Sequence, residues 1–345
     1  MGDNMIPLIE IDAIPPGLLE LEDAQELYRI LPHPTLLTLE GHHPRPLFVT
    51  ILLHGNEDTG LFAIQKILKK YRTKRLPRTL IVFFGNIYAA REGLRHLDGQ
   101  PDYNRVWPGG DEKKSDEASL VEKVIQRVTV RKPFASIDIH NNTGKNPHYG
   151  CINRLDTDFL YLASLFTRTI VYFETPKGVQ SMALAPYCPA VTIECGKPHL
   201  PQGIEEAARF VDTLLHLSAF PQHIRQKDTD VYHTAVRVVI PETFSFSFSN
   251  TEADIQLLAS LEESNFSELP PETLFARIKP GSDARFAAYD DNGRDRFDDY
   301  FDIVNHEIRL RKSMMPSMIT LDERVIRQDC FCYLMERIDL RVAEN

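Results

Sequence analysis

The feature that most constrains this chain is a regular alternation of short apolar runs and amphipathic segments between about residues 36 and 218. The apolar runs are nearly continuous, which is typical of strands buried on both faces of a parallel sheet. The predicted strands are 46–53, 79–84, 135–140, 169–173 and 190–193. The predicted helices, which alternate with them, are 59–71, 115–128, 156–168 and 202–217. This alternation favours an α/β fold with helices flanking the sheet.

Past about residue 220 the pattern changes to short strand candidates separated by turn-rich segments. These candidates are 232–240, 244–248, 273–278, 285–289, 300–303, 318–321 and 330–338. With 345 residues, the chain also exceeds the usual size of a single hydrophobic core. We therefore predict an α/β domain over residues 1–220, with a mixed, largely parallel sheet, and a smaller β-rich domain over residues 221–345.

Composition excludes several classes of partner. The net charge of −10 argues against nucleic-acid binding, which needs a basic surface. No apolar run approaches the ~18–20 residues that span a bilayer, so we expect no membrane partner. The five cysteines include no CxxC pair, which fits a reducing cytoplasm better than a disulfide framework. We expect a cytoplasmic protein that acts on a small molecule, and self-association stays open.

Polar residues gather where predicted strands end, which is where open α/β sheets bind ligands. His54 and Glu57 lie three positions apart on a predicted strand-to-helix turn, and Gly55 between them allows a tight bend. His140 ends a second strand and Glu194 a third. Two histidines and one glutamate leave a fourth coordination position open, as catalytic zinc sites do. The pattern predicts one zinc ion per chain.

Other interpretations of these residues are open. An isolated HxxE pattern is more often a helix start than a metal site, and the convergence of several strand ends is what favours the metal. Asp138 could orient a ligand histidine or could serve a capping or turn role. Arg91 and Arg95, four positions apart, could form a solvated helix face. Asp102 is expected to brace a loop rather than contact a substrate.

A family resemblance follows from these residues. His54-Gly55-Asn56-Glu57-Asp58-Thr59-Gly60 resembles the zinc motif of the succinylglutamate desuccinylase and aspartoacylase family, a branch of the carboxypeptidase A-type metallopeptidases. Three more blocks follow in that family's order: 86–105, which ends in Asp102-Tyr103-Asn104-Arg105, then 138–143 and 192–197. The resemblance covers roughly residues 45–215. It implies a carboxypeptidase-like fold with a β-rich C-terminal domain and makes His54, Glu57 and His140 the zinc ligands.

The resemblance also implies roles for four other positions. Arg95 would polarise the scissile carbonyl, and Glu194 would act as general base and then general acid. Asn104 and Arg105 would hold the α-carboxylate of the substrate, for which the planar guanidinium is well suited. Separately from these roles, we expect Asn141, next to His140, to bind the substrate.

These roles predict hydrolysis of the amide bond in an N-acyl amino acid of the N-succinylglutamate type. An aspartoacylase is disfavoured, because the loop 174–189 offers Lys177 and Ser181 but lacks the arginine that aspartoacylases carry there. One alternative is a metallocarboxypeptidase that acts on short or cell-wall peptides. The other alternative is a zinc-free pseudoenzyme that serves as a binding protein. The presence of all three ligand positions and of Glu194 argues against it.

Overall fold

The computed structural model describes residues 5–110, 114–221 and 229–339. The chain forms two compact units: Met1–Asn141 with His148–Thr229, and Asn142–Pro147 with Asp230–Asn345. The boundary predicted between residues 220 and 221 adjoins residues 222–228, which lie outside the described residues, and it stays a prediction. Among the described helices, none has both the length and the apolar character that crossing a membrane requires.

The first unit alternates strands and helices. Its strands are β1 (Ile9–Ile11), β2 (Thr35–Leu39), β3 (Gly41–Ile51), β4 (Leu76–Phe84), β5 (Ala135–His140), β6 (Tyr149–Ile152), β7 (Thr169–Tyr172) and β8 (Ala190–Glu194). Its helices are α1 (Thr59–Lys70), α2 (Ile87–Arg91), α3 (Asp116–Thr129), α4 (Thr157–Ser164), α5 (Gln180–Leu184) and α6 (Pro201–His216). Short 3₁₀ helices cover Leu18–Glu20 and Ala24–Arg29.

The strands of the first unit lie in the order β1-β2-β4-β3-β5-β8-β6-β7. The central strands β4, β3, β5 and β8 are parallel, whereas β2 and β6 run antiparallel to their central neighbours. This confirms the predicted α/β fold with a mixed, largely parallel sheet. Because β3, β5 and β8 run in one direction, their carboxyl ends meet at one edge, where His54, His140 and Glu194 lie.

Local sequence accounts for the helices that cover this sheet. In α3, the side chain of Ser115 accepts a hydrogen bond from the backbone N–H of Ala118 at 3.0 Å and caps the helix. Asp116 and Glu117 occupy the first turn, where acidic groups favour the helix dipole. The apolar side chains recur at helical spacing and are buried, so one stripe of the helix packs inward.

The second unit is rich in strands. They are β9 (Asp230–Val239), β10 (Phe246–Ser247), β11 (Ile255–Leu257), β12 (Leu274–Ile278), β13 (Ala287–Tyr289), β14 (Phe301–Val304), β15 (Glu307–Leu310), β16 (Met315–Ser317) and β17 (Cys332–Arg337). Two short helices, α7 (Phe297–Tyr300) and α8 (Glu323–Gln328), and a 3₁₀ helix, Ala259–Ser264, complete it. The predicted β-rich C-terminal region is confirmed.

Within the second unit, β10-β11-β12-β15-β14 form one sheet, and β9 pairs with both β13 and β17, which in turn pairs with β16. A continuous apolar core includes the fully buried rings of Phe275, Phe286, Phe301 and Phe331. Neighbouring rings in this group lie 5.4–6.3 Å apart, in edge-on or tilted geometry.

The segment Asn142–Pro147 belongs to the second unit although it directly follows Asn141. Thr143 hydrogen-bonds Thr320 through their hydroxyls at 2.8 Å, and Asn146 Oδ1 accepts from the backbone N–H of Met318 at 2.9 Å. A Cβ atom on Gly144 would lie 2.0 Å from the carbonyl oxygen of Ile319, so only glycine allows this approach.

The strand predicted at 318–321 is wrong, since the strand in this region is β16, which ends at Ser317. Met318 adopts a φ of 66°, in the left-handed region that interrupts an extended strand. Ile319 then uses its N–H and C=O to bind the side chain of Asn265, at 3.0 and 2.8 Å, instead of a neighbouring strand. Ile319 and Thr320 are buried here without forming part of a strand.

Candidate metal and catalytic site

The three predicted metal ligands converge in the first unit. His54 Nδ1 lies 2.8 Å from Glu57 Oε1, and His140 Nδ1 lies 2.7 Å from Glu57 Oε2. The two Nδ1 atoms are 3.1 Å apart. One candidate ligand atom from each residue lies within 4.8 Å of the others, and all three residues are at least 95% buried.

The backbone brings His54 and Glu57 together by an unusual turn. Leu52, just after β3, has a φ of 55°, which a branched side chain rarely adopts, so the chain turns sharply before His54. Gly55 has a different role from the bend we predicted. A Cβ at Gly55 would lie 2.2 Å from the backbone nitrogen of Ala90, so glycine permits close approach of α2.

A carboxylate holds the far nitrogen of each histidine. His54 Nε2 lies 3.0 Å from Asp102 Oδ1, and His140 Nε2 lies 2.7 Å from Asp138 Oδ2. Asp138 accepts a further hydrogen bond from the hydroxyl of Thr50 on β3, at 2.5 Å. Carboxylates in this position keep the proton on Nε2 and aim the lone pair of Nδ1 at the opposite side. Asp138 was expected either to orient a ligand histidine or to serve a capping or turn role, and in the structure it contacts His140.

Arg95 and Asp102 form an ion pair beside Glu57. A terminal nitrogen of Arg95 lies 3.0 Å from Asp102 Oδ2, and the other lies 3.8 Å from Glu57 Oε1. Both side chains are only 10–13% exposed, so Arg95 does not lie on a solvated helix face. Asp102 also accepts a hydrogen bond from the backbone N–H of Asn104, at 2.7 Å.

Asn104 lies next to His140, and Arg105 lies near Asp102. Asn104 Oδ1 accepts from the backbone N–H of Gln180 at 3.0 Å, and this leaves Asn104 Nδ2 3.2 Å from His140 Nε2. Arg105 donates to the backbone carbonyl of Asn104 at 2.8 Å. The structure thus brings these residues to the site, and their contact with a substrate stays a prediction.

Asn141 braces the site. Its backbone N–H donates to Glu57 Oε2 at 3.0 Å, and its side-chain amide donates to the hydroxyl of Thr59 and the carbonyl of Gly196, at 2.9 and 2.8 Å. Its carboxamide oxygen accepts from the N–H of Thr59 at 3.3 Å. These contacts stabilise the start of α1, and the predicted substrate contact of Asn141 stays a prediction.

Glu194 lies on the strand next to His140. It ends β8, and the parallel register pairs it directly with His140 at the end of β5. Residues paired across strands point to the same face of a sheet, so both side chains leave β5 and β8 on one side. Glu194 is 91% buried.

The pKa values reflect the mixture of buried groups. Burial disfavours charge on His140, but Asp138 and Glu57 outweigh it and hold the pKa of His140 well above its ordinary value. Burial acts similarly against the carboxylate of Asp102, but His54, Arg95 and Arg105 lower the pKa of that carboxyl well below its usual range. The site therefore favours ionised carboxylates and attracts positive charge.

The donor set and charge balance fit a divalent cation. Arg95 lies against Asp102 and Glu57, and Arg105 acts on Asp102, so the two guanidiniums pair with only part of the buried carboxylate set that also includes Asp138 and Glu194. Buried charges are costly unless they are paired, and an ion bound by His54, Glu57 and His140 would balance them. Two imidazoles and one carboxylate form a donor set that catalytic zinc sites use.

Asp102 and Thr50 were missed as supports of the site. Asp102 was expected only to brace a loop, and no local pattern connects it to His54, 48 positions earlier. The contact between Asp138 and His140 follows from the strand pattern, because residues two apart on a strand share a face and Asp138 precedes His140 by two.

Comparison with known proteins adds a family. Residues 47–220, half of the chain, match the family model described as the succinylglutamate desuccinylase/aspartoacylase catalytic domain. No curated protein matches the sequence.

Several solved structures share the fold. Succinylglutamate desuccinylase from Chromobacterium violaceum has a TM-score of 0.57 at 15% identity, and the match covers 86% of each chain. Murine aminoacylase 3 has a TM-score of 0.58 at 14% identity over 86% of this chain and 96% of that chain. The ectoine utilization protein EutE (DoeB) from Ruegeria pomeroyi, solved with product bound, has a TM-score of 0.55 at 15% identity over 88% of each chain.

Proposed function

This chain belongs to the succinylglutamate desuccinylase/aspartoacylase family, and on that premise we propose that it is a zinc-dependent hydrolase of N-acyl amino acids. The proposed reaction adds water across the amide bond and releases a carboxylic acid and the free amino acid. The observation that carries the proposal is the convergence of His54, Glu57 and His140, each histidine with its far nitrogen on a carboxylate.

When bound, zinc would lower the pKa of a water ligand to about 7 and polarise the scissile carbonyl. His54, Glu57 and His140 would hold the ion, and Asp102 and Asp138 would keep both imidazoles in the tautomer that presents Nδ1.

Glu194 is the proposed general base and acid. Its register beside His140 supports a position near the attacking water, from which it would take a proton. It would then return that proton to the leaving nitrogen, so that the amine departs neutral. Proton transfer by a positioned carboxylate accelerates such reactions by about 10²–10⁴-fold.

The cationic side chains have separate proposed roles. Arg95 would donate to the developing oxyanion, and its ion pair with Asp102 supports a fixed guanidinium. Arg105, with Asn104, would hold the α-carboxylate of the amino acid. The N-succinylglutamate type remains our proposed substrate class, and Asn141 is retained as a proposed member of the substrate group.

The direct test combines metal analysis of the purified full-length protein with a panel of N-acyl amino acids and short peptides. We expect one zinc per chain and amide cleavage in the N-acyl amino acid arm. Cleavage confined to C-terminal residues of peptides would favour a metallocarboxypeptidase instead. A metal-reconstituted protein that binds no zinc and cleaves nothing would leave the binding-protein alternative.

The variant Glu194→Gln tests the mechanism. We expect it to keep its zinc and to lose about 10²–10⁴-fold in kcat, because the amide cannot accept the proton. Loss of the metal in this variant would contradict the role assigned to Glu194.

The cytoplasmic location stays a prediction, as does any homo-oligomer.

A further inference from the structure

Two loops that flank the candidate site are packed backbone against backbone. Trp107 N–H donates to the carbonyl of Gly178 at 3.0 Å. A Cβ on Gly178 would lie 2.1 Å from the carbonyl oxygen of Arg105, and one on Gly110 would lie 2.8 Å from Gly178 Cα. Gly178 also has a φ of 77°, so glycine is required there on both grounds. The segment 178–180 therefore fixes the backbone position of Arg105.

The same segment fixes the side chain of Asn104. The backbone N–H of Gln180 donates to Asn104 Oδ1 at 3.0 Å, and this bond sets which end of the carboxamide faces His140. Both groups are buried, so water does not compete for the bond.

The side chain of Gln180 fastens this segment to the sheet. Gln180 Nε2 donates to the hydroxyl of Ser136 at 2.7 Å, and both residues are fully buried. Ser136 lies on β5, two residues before Asp138 and four before His140, on the same face of the strand. The side chain of Gln180 thus connects the segment 178–180 to β5. That segment contacts Asn104 and Arg105, and β5 carries the proposed metal ligand His140.

We propose that Gln180 is a positioning residue that sets substrate affinity through Asn104 and Arg105. The inference rests on the proposed function, because it takes those two residues to hold the substrate carboxylate. Gln180 itself does not contact the reacting atoms in this assignment. Its loss should therefore weaken substrate binding and leave metal binding and the chemical step nearly unchanged.

The test uses Gln180→Met, which keeps the length of the side chain and removes its hydrogen bond to Ser136. We expect KM, for the best substrate of the N-acyl amino acid panel, to rise about fivefold to tenfold, with kcat within about twofold and zinc content unchanged. Ser136→Ala should give the same kind of change. The double variant should be no worse than Gln180→Met alone, because both substitutions remove one interaction.

Leu184→Ala is the matched control, since Leu184 is a fully buried residue of the same helix that makes no part of this chain of hydrogen bonds. It should lower the thermal midpoint without changing KM. An unchanged KM in Gln180→Met, or an equal rise in Leu184→Ala, would overturn the proposal.

A second measurement does not depend on activity. Hydrogen exchange should show faster deuterium uptake in peptides covering residues 102–108 of Gln180→Met, and unchanged uptake there in Leu184→Ala. If the wild type cleaves none of the panel, the proposed function fails while this measurement still decides the inference. Equal uptake in wild type and Gln180→Met would reject it.

Discussion

The two units differ in where their contacting charged side chains lie. In the first, ionisable side chains such as His54, Glu57 and His140 are buried in mutual contact. In the second, the core is apolar, and ion pairs such as Arg311 with Asp302 lie at the surface, with side chains 51% and 33% exposed.

This difference indicates that the buried ionisable groups of the first unit serve function, whereas the apolar core of the second unit serves stability. Buried charges add little net stability, because desolvation offsets their attraction, and such groups concentrate at functional sites. Aromatic burial, in contrast, stabilises a fold directly. Substitutions in the first unit's site should therefore alter metal binding, and core substitutions in the second unit should alter stability.

The largest effect is expected from His140→Ala. It removes a proposed ligand and leaves Asp138 and Glu57 buried without the imidazole that both contact. Zinc affinity should fall by more than the ~10–100-fold that loss of an outer partner costs, and hydrolysis should become undetectable. Metal content, measured by plasma mass spectrometry, checks this. His216→Ala, at an exposed histidine, is the control, and full zinc occupancy in His140→Ala would refute the site.

Phe331→Ala should have the next largest effect, and on stability alone. Phe331 is fully buried among Phe275 and Phe286, so truncation should reduce the free energy of unfolding by about 3–5 kcal/mol. Denaturant unfolding measures the loss. Zinc content per folded molecule should equal that of the wild type, and a large drop in it would break the separation drawn between the units.

Asp102→Asn should have an intermediate effect on the metal. The variant keeps the shape at His54 Nε2 but removes the charge that favours the proposed tautomer. We expect zinc affinity to fall about 10–100-fold, measured by competition with a chromogenic chelator. An affinity equal to that of the wild type would show that Asp102 only braces its loop, as the sequence led us to expect.

The smallest effect is expected at Asp295 in the second unit. Burial acts against its charge, but the backbone N–H of Ala288 and the guanidinium of Arg285 outweigh burial and lower the pKa of Asp295. A pKa below that of the unfolded chain adds stability above about pH 4, and this stability is lost as the pH falls. Because solvent screens the pair, Asp295→Asn should cost at most about 1 kcal/mol at pH 7, and less at pH 3. Urea unfolding at both pH values tests this, and a constant difference would contradict it.

The central fold could be predicted because its strands are long and apolar. The predicted strand 135–140 coincides with β5, since every residue of β5 is buried. The strand β6 could not be predicted, because it includes Gly150 and is recognisable only by its pairing with β7 and β8. The contribution of Asn142–Pro147 to the second unit also depends on contacts to residues far along the chain.

The site was predictable where chemistry follows strand ends. His54, His140 and Glu194 each follow or end a strand that the apolar pattern indicates. The supporting contacts were less accessible, since Asp102 reaches His54 from an irregular loop and Gln180 reaches Ser136 from a five-residue helix. Such contacts depend on loop conformation, which local sequence specifies weakly.

The membership of Asn142–Pro147 in the second unit has a practical consequence for engineering. A shortened protein that stops at Thr229 would retain this hexapeptide but lose Met318, Ile319 and Thr320, against which it is built. A chimera that took only residues 230–345 from a relative would pair the native segment 142–147 with foreign contact residues. A chimera should therefore exchange residues 142–147 together with residues 230–345, because the two segments form one unit.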